Sequence, residues 1–241
     1  MLVSSEDTRT FNTDIRLACT LAAVAGALNT AAFETVGFFS ANMTGNVSSL
    51  SDTVAKFNLH AGLIFFMIVM LFIAGATFST LIINAGRRRQ FRGIYAINIL
   101  IEGVLLLILG IIESWFHYDN AGGILVLSLS FLMGIQNAVV TRISKARVRT
   151  THVSGTATDI GIEIAMLFDV LRRKESPKDA PLYIERIRLH VFTILAFLAG
   201  GVFGILLLNL MSYKFLLLIG MLLIVIALSA LKRAGSLSVS S

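Results

Sequence analysis

The chain has 241 residues, 56% of them hydrophobic and only 14% charged, with a formal net charge of +6; soluble domains carry about a quarter charged residues. That balance argues against a water-soluble fold. The charges cluster at the N-terminus and at residues 87–92, 142–188 and 232–233, and the apolar runs between them define the fold. Most basic residues fall in loops between runs, where positive charge fixes membrane orientation, so nucleic-acid binding is not expected. The single cysteine, Cys19, has no partner for an internal disulfide or a thiolate metal site.

In chain order, the first run carries no charge between Arg16 and Glu34. Ala25 and Ala27 imitate a signal-peptide cleavage site, but Glu6, Asp7 and Asp14 beside Arg9 and Arg16 make a poor positive leader, so the segment is expected to be retained. Residues 57–86 and 93–112 follow, the latter interrupted only by Glu102, and residues 121–141, 189–213 and 215–231 complete six predicted spans. Each can cross about 30 Å of hydrocarbon as a helix with its backbone bonds satisfied internally. Short helices are predicted over residues 47–56 and 157–171, with Thr44, Asn46, Ser154 or Thr156 as caps and Gly45 and Gly155 permitting the break. Pro177 and Pro181 mark a polar loop over residues 172–188, and the serine-rich residues 236–241 read as a frayed end. Placing the N-terminus inside sends 18 of the 20 Lys and Arg to the cytoplasm, leaving only Lys56 and Lys214 outside, so both termini are expected to be cytoplasmic.

The chain repeats itself. Gly26-Ala27-Leu28-Asn29 in the first span corresponds to Gly134-Ile135-Gln136-Asn137 in the fourth, and Met43-Thr44-Gly45-Asn46 to Val153-Ser154-Gly155-Thr156. Ile73 to Phe78 in the second span corresponds to Leu198 to Phe203 in the fifth, in the same order. Three spans per half is an odd number, so the halves enter the membrane oppositely. The expected fold is a single integral membrane domain, residues 1–241, all-α, with six transmembrane helices as two inverted repeats over about residues 15–113 and 121–232.

The motif pairs, Gly26-x-x-Asn29 with Asn42-Met43-Thr44-Gly45-Asn46 and Met133-Gly134-Ile135-Gln136-Asn137 with Arg149-Thr150-Thr151-His152-Val153-Ser154-Gly155-Thr156, resemble the YoaK-like family of uncharacterised bacterial membrane proteins. The resemblance covers nearly the whole chain. It implies a multi-pass protein of the bacterial plasma membrane and no established activity. The family often carries aspartate where this chain has Asn29, so a carboxylate role at that position does not transfer.

Several residues are candidates for a site. The triplets Thr44-Gly45-Asn46 and Ser154-Gly155-Thr156 would open helices whose free N–H groups suit an anion or a carbonyl oxygen; the structural alternative is a plain cap at the membrane surface. Asn29, Gln136 and Asn137, inside apolar spans, would line a polar path or else tie helices together. Glu102, alone in the third span, is expected to be protonated or paired and is the proton-coupling candidate, although the sixth span has no ionisable counterpart. Asp159 and Glu163 share a helical face that reads as the wet side of an interfacial helix anchored by Arg172 and Arg173. Gly75, Gly200, Gly201 and Gly204 are assigned to packing, the Gly200–Gly204 pair suiting either internal packing or a homodimer.

No catalytic motif, metal-ligand cluster or cofactor-binding loop occurs. The leading expectation is a secondary transporter or channel-like permease for a small polar or anionic solute, bound between the two breaks, with the lipid bilayer as its other partner and no catalytic residue. Alternatives are an intramembrane enzyme using Glu102, His152 or Asp159 on a lipid-linked group, or a scaffold without a polar path.

Overall fold

The computed structural model describes residues 2, 10–115 and 121–239. The described residues form eight α-helices and no strand: α1 (Phe11–Val36), α2 (Met43–Ala55), α3 (Leu59–Arg88), α4 (Ile94–Trp115), α5 (Ala121–Ile143), α6 (Val153–Leu171), α7 (Ala180–Met211) and α8 (Lys214–Val239). All but α2 and α6 are long and apolar enough to cross a membrane. The serine-rich tail is no frayed end as far as Val239, since α8 continues through it; Ser240 and Ser241, like Glu6, Asp7 and Arg9, lie outside the described residues.

Local chemistry sets the helix ends. The Thr10 side chain caps α1 by accepting from Thr13 N–H, and Gly37 closes it at φ 73°, a left-handed conformation that glycine adopts without steric cost. Asn58 caps α3 through Ala61 N–H. A short 3-10 turn at Pro177–Asp179 leads into α7.

The long helices pair as α1 on α7, α3 on α5 and α4 on α8, while α2 lies along α3 and α6 along α7. Glycines make these pairs possible, because in lipid, helix association depends on close packing rather than on hydrophobic burial. A Cβ on Gly26 would strike the carbonyl of Phe197, one on Gly200 the carbonyl of Ala23, one on Gly134 that of Phe72 and one on Gly75 that of Phe131. Gly103 and Gly220 meet each other across α4 and α8. Gly200 and Gly204 both press on α1, at Ala23 and Ala27, so the GxxxG pattern serves internal packing. Outward faces are apolar, as along α7 at Leu198, Val202, Phe203, Leu206 and Leu210.

Long helices successive in the chain run in opposite directions, so the contacting pairs α1–α7 and α3–α5 are parallel and α4–α8 is antiparallel. One end of the bundle brings together the start of α1 with the segment after α5 (Asp14–Arg147, 3.0 Å), the ends of α3 and α5 (Asn84–Arg142, 2.9 Å), and the starts of α1 and α7 (Phe11 under Arg188, 5.7 Å). The start of α4 meets the end of α8 there as well, at Gly93 and Leu231. We call this the basic end.

Two expectations about the short helices are corrected. They begin four residues earlier than expected, at Met43 and Val153, with Asn42 and His152 in the cap positions, so Thr44, Asn46, Ser154 and Thr156 lie within first turns. Gly45 and Gly155 are helical and supply no unusual dihedral; Gly37 alone among the described glycines has positive φ. Gly45 is small for another reason: a Cβ there would collide with the Asn42 carboxamide that caps its N–H at 3.1 Å.

Candidate functional site

Each short helix starts well below the end of the span before it. Asn29, about two turns before the end of α1, accepts a 2.8 Å hydrogen bond from the backbone N–H of Ala41. That bond draws the connecting segment back about 10 Å along α1. In the other half the Thr151 hydroxyl donates to Asn137 Oδ1 at 2.9 Å, nearly two turns before the end of α5. The two asparagines therefore fold the chain back into the bundle. Ser40 and Thr150, each immediately before the tethered residue, bury hydroxyls with no hydrogen-bond partner.

From these starts α2 and α6 run antiparallel to the helices that follow. Leu50, Thr53 and Val54 lie against Gly62, and Glu163 against His190. Continuing at about 1.5 Å per residue places Met43 near the level of Phe72 and Val153 near that of Gly200, the middle regions of α3 and α7.

The first turns differ. In α2, Asn42 caps Gly45 and Asn46, 2% exposed, donates to the carbonyl of Phe39 at 2.9 Å, so both amides are spent on the segment itself. In α6, His152 makes no side-chain cap, and the Thr156 hydroxyl donates to the His152 carbonyl at 2.9 Å. The Arg149 guanidinium lies beside this first turn, 3.4 Å from where a Cβ on Gly155 would stand, and has no acidic partner among the described residues. An uncapped helix start beside an arginine is an electropositive corner.

Below that corner is a cavity of about 590 Å³, bounded by the starts of α1 and α7, the segment after α5 and the first part of α6. Two ion-pair contacts stand in its wall: Asp14–Arg147 at 3.0 Å, and Glu163 Oε2 to His190 Nδ1 at 3.1 Å, ionic when His190 is protonated. Arg149, Asp159, Glu185 and Arg186 complete the charged lining. Burial pushes the Glu163 carboxyl above its ordinary range, with the His190 contact pulling the other way. This overturns the wet-face expectation: Glu163 is 6% exposed and turned toward α7, while Ile162, Ile164 and Phe168 face outward. The charges face the cavity because α6 packs on α7 rather than lying alone on a surface.

Of the residues expected to bind a solute, Thr156 lines this cavity. Asn29, Asn46, Gln136 and Asn137 are buried in the bundle and do not line it, whereas Thr44 and Ser154 are exposed on their helices. Gln136 is turned elsewhere, donating from Nε2 to Glu102 Oε1 at 2.9 Å, so Glu102 is paired. Neither Glu102 nor His152 lines the cavity with Asp159. Asp14, Arg186 and His190 were not expected at a site, and Arg147 was attributed, like the other loop arginines, to membrane orientation. Their signal was faint: Asp14 and His190 lie next to the edges of apolar runs, where charged and polar residues ordinarily mark a membrane boundary. A second cavity of about 430 Å³ between α3, α4 and α5 is lined almost wholly by apolar side chains, Leu105, Ile108 and Phe131 among them.

A family profile described as a protein of unknown function, DUF1275, matches residues 17–229. No curated protein and no solved structure matches the chain.

Proposed function

The chain belongs to the DUF1275 family, and with a multi-pass integral membrane protein as the premise we propose that it is a secondary transporter of a small polar or anionic solute, built from two inverted repeats. The observation that carries this reading is that the backbone crossings map onto one another. Shifting Ala23 and Gly26 by 108 residues gives Phe131 and Gly134, and shifting Phe72 and Gly75 by 125 gives Phe197 and Gly200. Under that exchange, the contact of Gly26 with Phe197 becomes that of Gly134 with Phe72, and Gly200 with Ala23 becomes Gly75 with Phe131. With α4 and α8 set in register by a shift of 117, the Gly103–Gly220 crossing becomes itself, which suits a two-fold axis passing through it. Asn29 and Asn137 correspond by the same 108-residue shift, and their partners Ala41 and Thr151 by the 110-residue shift that relates Met43 to Val153.

Broken helices that start near mid-depth at the contact of two inverted repeats present free N–H groups to a solute and allow one repeat to rock against the other. The cavity is one-sided, opening beside α6 and not beside α2, which suits one state of an alternating-access cycle. The basic end is then the cytoplasmic end, since the Lys and Arg clusters gather there. Arg149 and the first turn of α6 would hold a negative or carbonyl oxygen of the solute, and the acidic lining would hold any donor group it carries.

The test is single-cysteine labelling in a Cys19→Ala background across residues 40–50 and 150–160, with membrane-impermeant thiol reagents applied from each side. Both stretches should be reachable through water, from opposite sides in different conformations, and a transported solute should protect both. Labelling of each stretch only from its own surface, with no solute protecting either, would overturn the reading.

A further inference from the structure

Three fully buried side chains sit together between α4 and α5: Asn98, Glu102 and Gln136, each 0% exposed. Asn98 and Glu102 are four residues apart and share a face of α4, where side chains at that spacing are neighbours. Glu102 is joined to Gln136 by the 2.9 Å bond from Nε2 to Oε1. What remains is all of one kind: Asn98 Oδ1, Glu102 Oε2 and Gln136 Oε1 are buried acceptor oxygens without a partner. Flipping either amide does not help. Asn98 Nδ2 donates to the Ile94 carbonyl at 3.0 Å, and turning Gln136 would set oxygen against oxygen.

The surroundings supply no positive charge. No Lys, Arg or His occurs in residues 121–141 of α5, 215–231 of α8 or 61–86 of α3, the helices packed against α4.

We infer that Asn98 Oδ1, Glu102 Oε2 and Gln136 Oε1 form a site for a dehydrated alkali cation, with sodium as the ion to test. One carboxylate and two amide oxygens are hard ligands carrying a single negative charge, matched by a monovalent cation; all-protein sites for divalent cations draw on more carboxylates. A proton on Glu102 is the competing occupant. It creates one donor, which serves one amide oxygen and leaves the other without a partner, whereas one cation can be coordinated by several oxygens at once. The site rests on these side chains. Its role as the coupling ion rests on the transport reading.

The experiment is thermal unfolding of the full-length protein in detergent, titrated with sodium chloride against choline chloride at constant ionic strength, with equilibrium binding of radioactive sodium alongside. Saturable stabilisation by sodium that choline does not reproduce, with one ion bound per chain, is the expected result. Glu102→Gln, which keeps the side-chain shape, should weaken sodium at least about tenfold, and Asn98→Ala should weaken it as well. Asp52→Asn, on the exposed face of α2, should leave it unchanged. Equal stabilisation by choline, an unaltered sodium response in both Glu102→Gln and Asn98→Ala, or a response to pH alone would overturn the site. Sodium binding without solute uptake in proteoliposomes would keep the site and remove the transport reading. Uptake without sodium binding would do the reverse.

Discussion

The two segments that fold back into the bundle, residues 37–46 and 144–156, share a geometry and differ in chemistry. Both follow a long helix, are tethered to it by a buried asparagine and open a shorter helix. The first spends its amides on itself, Asn42 on Gly45 and Asn46 on Phe39, and carries no ionisable side chain. The second leaves α6 without a side-chain cap and borders a charged cavity. The backbone geometry is thus what the two segments have in common, and the charges belong to one of them.

The strongest way to break that comparison is through the shared backbone. Gly26→Val and Gly134→Val each drive side-chain atoms into a facing carbonyl, so each should cost about 3 kcal/mol or more and yield little folded protein by size-exclusion chromatography. Tolerance of one and not the other would sink the equivalence. The tethers come next. Asn29→Leu leaves the Ala41 N–H buried without its acceptor, at about 1–3 kcal/mol, and Asn137→Leu should cost less because a hydroxyl can rotate to another acceptor; paired thermal melts read the difference.

The chemistry peculiar to the second segment gives smaller effects. Arg147→Met removes one partner of Asp14 and strips an arginine that is half exposed, so about 1 kcal/mol is expected. Solute affinity, once a solute is known, should respond more than stability does. A carboxyl whose ionisation is opposed by burial binds its proton more tightly folded than unfolded. The Glu163 contribution therefore favours the fold at acid pH and is lost as pH rises through its folded value. Glu163→Gln should flatten that part of the stability profile, and an unchanged profile would show that another group governs it. The finest test sets one cap against the other. Asn42→Ala should cost about 1 kcal/mol, and His152→Asn, which gives α6 the cap it lacks, should gain up to that amount.

Much of this architecture was legible in the sequence because long apolar runs and loop charges are local signals. The long helices fall where the runs do, except that α7 begins at Ala180, inside the segment expected to be a loop, and Gly26, Gly75, Gly134 and Gly200 were marked by recurrence. The cap positions were misjudged because Thr44 and Ser154 are good caps by residue type, and only the tethers at Ala41 and Thr151 place the actual starts. The cavity was not legible. Its walls come from Asp14, Arg147, Glu163 and His190, which lie far apart in sequence and read individually as boundary charges. Glu163 could be placed inward only once α6 was known to pack on α7.

The central position of α1 also bears on how the protein is made. It is the least hydrophobic of the long helices and one of the two most buried, and its main partner is α7, with α5 also in contact. The crossing of Gly26 with Phe197 joins residues about 170 positions apart, so α1 leaves the ribosome well before the helix on which it docks. Until then Asp14 has no Arg147, and the surface meant for α7 lies open to lipid or to the insertion machinery. Synthesis of the first half alone should therefore give an inserted but unassembled fragment, and co-expression of the second half as a separate chain should restore assembly.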